Sequence, residues 1–454
     1  MNSIVKITFC GGTGSVTGAN FLLEAENKKI LIDCGLTQGL KLADDINWDP
    51  FVYDPKEIDM LFVTHAHVDH IGRIPKLINE GFRGKIYSTL PTKALASPML
   101  EDTMGILSKN KEYDLGSIYT EENIKIALSL WQGYNFHESI KIADNFEVSF
   151  LNSGHILGSA MVQFILNGKK IIFTGDLGNS PSMLLPDTEI IKDADYLIME
   201  SVYGDRNHES RDERQKYLEN TIKDNYRAKG TLIIPTFSLE RSQELLFELN
   251  DMVENNRIPV MPIFFDSPLA IRLTEIFKQF KNYFNENAQK VMIHDKYIFD
   301  FPGLHSTLQS EESKMINSAP NPKVIIAGSG MSAGGRIVHH EKHFLPDPNN
   351  TLLLTGYQSV GTPGRLIQEG VRTVRISGEN VIVRSHVVTI SGYSGHKDSN
   401  GLIEFVENMA DNVKKIFVVM GEPKSSMFLV QKIRDNFGIE ASAPERNETI
   451  SFIC

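Results

Sequence analysis

Directly after an apolar, strand-like run (Met60, Leu61, Phe62, Val63) the chain reads Thr64-His65-Ala66-His67-Val68-Asp69-His70. Three imidazoles and a carboxylate fall in the short stretch that leaves a buried strand. Extended residues two apart point the same way, so His65 and His67 can reach one cation together, while Asp69 and His70 turn toward a neighbouring position. Nitrogen and oxygen donors of this kind suit a tetrahedral or five-coordinate transition metal, zinc first. With 13 histidines in 454 residues, a chance H-x-H-x-D-H is expected in roughly one chain per thousand or fewer. The stretch reads as part of a metal site, and the fold must bring further donors to it.

At 454 residues the chain is too long for one ordinary core, and two or three domains are expected. A hydrophobic content of 41% with 23% charged residues describes a soluble globular protein. The first residues lack a signal-peptide core, no apolar run could span a bilayer, and three cysteines (Cys10, Cys34, Cys454) cannot form a disulfide framework. A cytoplasmic location is expected, without a membrane partner. The net charge of −11 argues against coating nucleic acid non-specifically, but leaves room for a nuclease that holds phosphate locally.

Periodicity divides the chain. Short strands are expected at Ile4–Phe9, Asn20–Glu24, Lys29–Asp33, Met60–Val63 and Lys85–Ser88, then helices over Lys93–Leu107 and Glu121–Gln132. Strands return at Phe146–Leu151, Met161–Leu166 and Lys170–Thr174. From about Asp205 helices alternate with wholly apolar strands: Glu209–Ala228, Thr231–Pro235, Glu240–Asn255, Val260–Phe265, Ser267–Phe284. Strands without polar alternation are buried on both faces, as in a parallel α/β sheet. The last part returns to Val381–Ile390, Leu402–Met409, Lys415–Met420 and Lys424–Asn436. The pattern predicts one α/β domain inserted into another, with parts at 1–204, 205–364 and 365–454.

Two further strand ends offer donors: Asn152-Ser153-Gly154-His155, and Phe173-Thr174-Gly175-Asp176-Leu177-Gly178. The order H-x-H-x-D-H, strand-end His, T-G-D resembles the metallo-β-lactamase superfamily, and Leu31-Ile32-Asp33-Cys34-Gly35 is similar to its first motif. Ile198-Met199-Glu200-Ser201-Val202-Tyr203-Gly204-Asp205-Arg206 resembles the acidic motif that opens a β-CASP insertion. Further signatures of that insertion are resembled by the stretch from Pro235-Thr236-Phe237-Ser238 to Arg241 and Glu244, and by Phe265-Asp266-Ser267-Pro268-Leu269-Ala270. Ser329-Gly330-Met331-Ser332-Ala333-Gly334-Gly335-Arg336 and the Gly356-to-Arg365 stretch are similar to two more.

That resemblance implies a metallo-β-lactamase αββα sandwich carrying a β-CASP α/β insert, of the zinc-dependent ribonuclease kind. It implies His65, His67, His155 and Asp176 as ligands of a first Zn²⁺. Asp69 and His70, with bridging Asp176, are then ligands of a second. Glu200 is implied to orient a catalytic histidine, His396 in Ser391-Gly392-Tyr393-Ser394-Gly395-His396, and Asp69 to orient the attacking hydroxide. Asp33 is expected to brace the metal loop by hydrogen bonds. Arg241, Arg336 and Arg365, with backbone amides at Ser329 and Gly330, are the candidate phosphate grips. The expected reaction is hydrolysis of single-stranded RNA in a groove between the domains, His396 protonating the leaving sugar oxygen. The sequence leaves the oligomeric state open, a homodimer included. The rival readings are a DNA nuclease of the same family, a catalytically silent RNA-binding scaffold and a small-molecule hydrolase. Gly12-Thr13-Gly14-Ser15-Val16-Thr17-Gly18 resembles a dinucleotide fingerprint but lacks the surrounding βαβ unit.

One departure stands out. Where the family has His-Gly-Glu, completing the second zinc site, this chain has Met420-Gly421-Glu422. A thioether does not replace imidazole on zinc, so the second site is one ligand short. Metal content after mild chelation should fall below two per chain, and Met420→His should raise second-site occupancy. Two equally tight zincs in the unmodified chain would contradict this.

Overall fold

The computed structural model describes residues 3–38, 46–108, 115–209, 211–356, 358–359 and 361–454. Tyr357 and Val360 of the Gly356-to-Arg365 signature lie outside the described residues. By internal contacts the chain divides into two units. Unit 1 comprises Met1–Ser182, Pro186–Asn207 and His396–Cys454; unit 2 comprises Met183–Leu185 and His208–Gly395.

Unit 1 is built on two seven-stranded sheets. One runs in the order Thr449–Ile453, Ile4–Phe9, Phe21–Ala25, Lys28–Ile32, Met60–Phe62, Lys85–Thr89, Trp131–Tyr134. The other runs Glu440–Ser442, Lys415–Val419, Tyr196–Glu200, Lys169–Phe173, Ala160–Leu166, Phe146–Asn152, Ile140–Ala143. Aromatic side chains from both sheets fill the layer between them: Phe62 meets Phe164 at 5.5 Å between ring centroids, and Phe9 meets Phe417 at 5.7 Å. The strand Tyr196–Glu200 shows why the second sheet is apolar on both sides. Tyr196 and Ile198 face this inner layer, while Leu197 and Met199 pack with Leu402, Phe405, Leu429 and Ile433 of the helices Ser399–Glu407 and Pro423–Phe437. The helices Leu90–Leu107 and Glu121–Leu130 pack with each other and flank the first sheet. This is the αββα layering that the motifs imply.

Unit 2 holds a six-stranded, all-parallel sheet in the order Leu304–Ser306, Ile263–Asp266, Lys323–Ala327, Thr231–Pro235, Thr351–Thr355, His386–Ile390. Thr231–Pro235, Lys323–Ala327 and Thr351–Thr355 are buried along their whole length, the two-faced burial that an apolar strand without alternation requires.

Three local expectations change. Glu121–Gln132 is not one helix: it stops at Leu130, and Trp131–Tyr134 becomes an edge strand whose Trp131 indole donates to Ser88 Oγ at 2.8 Å. Val381–Ile390 is not one strand. Glu379–Ile382 pairs with Thr373–Ile376 in a small hairpin, whereas His386–Ile390 joins the parallel sheet. Between them the amides of Arg384 and Ser385 both turn to the Leu345 carbonyl, which breaks the extended run. The sequence boundary at 364 therefore falls inside unit 2, because His386–Ile390 completes that unit's sheet and residues up to Gly395 cluster with it. Among the described residues no helix is long and apolar enough to cross a membrane.

Phe164 is fully buried and touches the rings of Phe62, Phe146 and Phe173. Phe164→Ala should cost about 3–5 kcal/mol of unfolding free energy. A urea melt followed by the fluorescence of Trp48 and Trp131, both in the same unit, measures it, and a loss below about 1 kcal/mol would show that the two sheets do not depend on this contact.

Candidate metal centre

All the sequence-predicted ligands sit in turns at one rim of unit 1. The parallel register Ile32↔Phe62 brings Asp33 beside Thr64. The register Phe173↔Ile198 brings the Thr174–Asp176 turn beside Glu200. The Ala160 amide donates to the Thr64 carbonyl at 2.8 Å, tying the hairpin that bears His155 to the metal loop. Within that loop the backbone stays extended to His67 and then makes the short helical turn Val68–Ile71, which sends Asp69 and His70 in new directions. The turn is held by backbone bonds from Cys34 to the His70 carbonyl, Leu36 to that of Val68, and Ala19 to that of Asp69. Gly35 is pressed so close that a Cβ there would lie 1.5 Å from the Asp69 carbonyl oxygen; only glycine fits.

Four donor atoms close into a cage. His65 Nε2 and His67 Nδ1 are 3.1 Å apart, and His155 Nε2 lies 3.2 Å from His67 Nδ1. Asp176 Oδ2 is 3.5 Å from Nε2 of both His65 and His155. A tetrahedral ion with bonds of 2.0–2.1 Å needs donors about 3.3 Å apart. The edges therefore match a cation of zinc's size. Burial, reinforced by charge on His70, holds His65 well below the usual histidine range, which keeps it in the neutral form that binds metal.

Beside the cage lies a second set. His70 Nε2 is 3.4 Å from Asp176 Oδ1 and 3.8 Å from Asp69 Oδ2. His70 Nε2 and Asp176 Oδ1 are both buried and make no hydrogen bond among the described residues. Orphaned buried polar atoms that face one another are what a shared cation would satisfy. Burial raises the Asp69 carboxyl to about 6.

Asp33 anchors this set. Its Oδ1 accepts from the Thr64 amide at 2.8 Å, and its Oδ2 accepts from the Thr64 hydroxyl at 2.8 Å and from His70 Nδ1 at 2.7 Å. With Nδ1 engaged, His70 presents Nε2 to Asp69 and Asp176. Glu200, fully buried, accepts from the Leu177 amide at 2.7 Å and from His396 Nδ1 at 3.1 Å through Oε1. Its Oε2 accepts from the Val202 amide at 3.3 Å. His396 lies 3.9 Å from Asp176 Oδ2, held by the bond from the Lys397 amide to the Leu177 carbonyl. Burial alone would lower the His396 pKa, but the Glu200 and Asp176 carboxylates outweigh it and raise it to about 9. The helix cap two residues on is made by Asp398 itself, whose side chain accepts from the Gly401 amide.

Met420 is buried in the inner layer at the end of its strand, and a Cβ on Gly12 would lie 2.6 Å from its sulfur. The phosphate-grip candidates lie in unit 2. Arg241 is buried against Glu244. The Arg336 guanidinium holds Asp266 Oδ1 at 2.6 Å and the carbonyls of Thr307 and Leu308. Arg365, partly exposed, pairs with Glu369 at 2.6 Å. The Ser329 amide bonds the Gly334 carbonyl, and the Gly330 carbonyl accepts from Gln358, so this loop is braced internally. Thr64, Gly35 and Ser159 (whose hydroxyl accepts from the His155 amide at 2.9 Å) are site residues that the sequence reading missed. Thr64 adjoins His65, yet a hydroxyl's partners depend on which strands are neighbours.

Comparison with known proteins agrees with this architecture. The Beta-Casp domain family matches residues 242–367, and the Zn-dependent metallo-hydrolase RNA specificity domain matches 380–444. The Anti-Pycsar protein Apyc1 family matches 5–208. Ribonuclease TTHA0252 of Thermus thermophilus is 36% identical over 94% of this chain and 95% of its own length. The chain belongs to the β-CASP metallo-hydrolase family. Other β-CASP relatives include an RNase J-like protein of Methanocaldococcus jannaschii, 32% identical over 98% of this chain and 99% of its own. Transcription termination factor FttA of Methanosarcina mazei is 30% identical over 99% of this chain and 72% of its own. A solved structure, a protein of unknown function from Enterococcus faecalis, shares the fold at a TM-score of 0.60 and 12% identity, over 99% of this chain and all of that one. The donor cluster and the metallo-hydrolase domain together make this a metal-dependent β-CASP hydrolase.

Asp33→Asn keeps the shape and the tolerance for the positive backbone angle found there (φ 57°). It removes the acceptor that orients His70. Metal at the His70–Asp69 set should bind about 10–100-fold more weakly while the cage of His65, His67 and His155 keeps its ion. Chelator competition reads this, and unchanged affinity at both sets would count against the brace.

Proposed function

We propose that the protein is a zinc-dependent ribonuclease that hydrolyses phosphodiester bonds of single-stranded RNA. The observation that carries this is the cage of His65, His67, His155 and Asp176, whose donor spacing of 3.1–3.5 Å suits tetrahedral zinc. Membership of the β-CASP family, with a relative named a ribonuclease at 36% identity, supports RNA as the substrate. The acidic net charge of −11 fits an enzyme that grips one stretch of strand locally rather than coating it.

Bound metal supplies Lewis acidity: it acidifies water and draws charge from a phosphoryl oxygen. The chain's own groups do the rest. Asp69, beside His70 and partly exposed, orients and deprotonates the attacking water. His396 turns Nδ1 to Glu200 at 3.1 Å and to Asp176 at 3.9 Å, so proton transfer to the leaving sugar oxygen falls to Nε2. Asp69, His70 and the shared Asp176 hold a second, weaker ion. Arg365 is the arginine of the three whose side chain reaches solvent most, and it is the one best able to meet a phosphate. The location expected for this chemistry is the cytoplasm.

Asp69→Ala should lower turnover on end-labelled single-stranded RNA by several orders of magnitude, on the order of 10³ or more, with the circular dichroism spectrum unchanged. The same assay run on single-stranded DNA separates an RNA enzyme from a DNA one. Wild-type RNA cleavage by Asp69→Ala would refute the hydrolytic role.

A further inference from the structure

Within unit 1, Leu177 and Gly178 meet both partners of the Glu200–His396 pair. The Leu177 amide donates to Glu200 Oε1 at 2.7 Å, and the Leu177 carbonyl accepts from the Lys397 amide at 2.8 Å. Gly178 pairs antiparallel with His396 itself, and two residues on Asp398 pairs with Tyr203. All of these residues belong to unit 1. The imidazole therefore takes its place from wherever Leu177 and Gly178 stand.

A strap at residues 186–189 fixes Gly178. The Thr188 hydroxyl donates to the Ser153 carbonyl at 2.9 Å, with the Gly178 carbonyl 3.3 Å away, one proton shared between two acceptors. The Gly178 amide donates to the same Ser153 carbonyl at 2.8 Å. The backbones leave no slack: a Cβ on Gly154 would lie 2.7 Å from the Thr188 nitrogen. Asn152 ties the strap down, its Nδ2 donating to the Asp187 carbonyl at 2.9 Å and its carbonyl accepting from the Glu189 amide at 3.0 Å. The His155 turn has braces of its own. The Ser159 hydroxyl accepts from the amides of His155 and Ile156 at 2.9 and 3.1 Å, and Asn152 Oδ1 accepts from the Gly154 amide at 3.0 Å. The half-buried Thr188 hydroxyl thus takes an already rigid turn as its reference and holds Gly178 against it.

We propose that Thr188 is a positioning residue for His396. Its hydroxyl ties the turn that pairs with His396 to the turn that bears His155, and so keeps the proton donor in register with the metal cage. The proposal rests on the reading of His396 as proton donor in RNA hydrolysis. Thr188 acts through two backbone carbonyls and is not itself a catalytic residue. Misplacement of a reacting group by about 1 Å can cost about 10²-fold in rate. The loss falls on substrates whose leaving group needs a proton.

The test uses the full chain, zinc-loaded, as Thr188→Val, Thr188→Ser and His396→Ala. Two substrates are compared: a single-stranded RNA oligonucleotide, and bis(p-nitrophenyl) phosphate, whose nitrophenolate departs without protonation. Thr188→Val keeps the branched shape and loses only the hydroxyl. Its kcat on RNA should fall about 10- to 100-fold, with KM, zinc content and thermal midpoint close to wild type. The nitrophenyl ester should be turned over at nearly the wild-type rate. Thr188→Ser keeps the hydroxyl and should retain RNA turnover, which a role resting on side-chain bulk would not allow. Should Thr188→Val fail to fold, Thr188→Ala takes its place in the comparison with Thr188→Ser. Equal losses on both substrates, loss of zinc, or no loss on RNA would overturn the positioning role while His396→Ala still discriminates between the substrates. If His396→Ala slowed both substrates alike, the proton-donor reading would fall and this proposal with it.

Discussion

Three carboxylates with almost no access to water stand at one rim of unit 1: Asp33, Asp176 and Glu200, exposed by 1%, 2% and 0%. A buried anion must find donors or a cation, or else give up its charge. Each meets this demand differently, and the site follows from the differences. Asp33 is satisfied by the Thr64 amide and hydroxyl and by His70. Glu200 is satisfied by two backbone amides and by His396. Asp176 keeps one oxygen in the imidazole cage and leaves the other orphaned. The first two carboxylates orient imidazoles; the third keeps a buried oxygen that a cation would satisfy.

The fold makes this arrangement cheap. Parallel pairing of Lys28–Ile32 with Met60–Phe62, and of Lys169–Phe173 with Tyr196–Glu200, places successive strand ends side by side. The turns after them can then converge without buried loops crossing the apolar layer. Aromatic packing between the sheets keeps the two rows of strand ends at a fixed spacing. Tight backbone approaches complete the placement: Gly35 against Asp69, and Gly178, where a Cβ would lie 2.0 Å from the Gly154 carbonyl oxygen, beside the His155 turn.

The arginines show where local sequence misleads. Arg241, Arg336 and Arg365 occur in glycine- and serine-rich stretches that invite a phosphate, but the first two are engaged by Glu244 and Asp266 inside unit 2. Glu244 lies three residues after Arg241 on one face of the same helix, a spacing that the sequence does show, but Asp266 reaches Arg336 from a strand 70 residues away, which no local pattern marks. Tyr393 is the converse. Nothing in its serine- and glycine-rich stretch marks its partners, which lie on two helices that begin about 180 and 150 residues earlier.

The metal ligands were legible because coordination chemistry demands particular side chains at particular strand ends. Among the candidate ligands, His65, His67, Asp69 and His70 announce themselves through residue type and spacing, whereas His155 and Asp176 became candidates through the order of motifs that resembles the metallo-β-lactamase superfamily. The alternation of apolar strands with helices likewise announced an α/β insert, since a strand buried on both faces has no polar side to show. What sequence could not decide was every matter that depends on which strand lies beside which. Trp131–Tyr134 became a strand because an edge was open beside Lys85–Thr89, and His386–Ile390 joined the insert because Thr351–Thr355 offered one. Asp33 reaches His70, and Tyr393 reaches Glu248, only through contacts between residues far apart in the chain. Such contacts are set by packing of the whole unit, so tertiary structure alone decides which polar groups hold the chemistry in place.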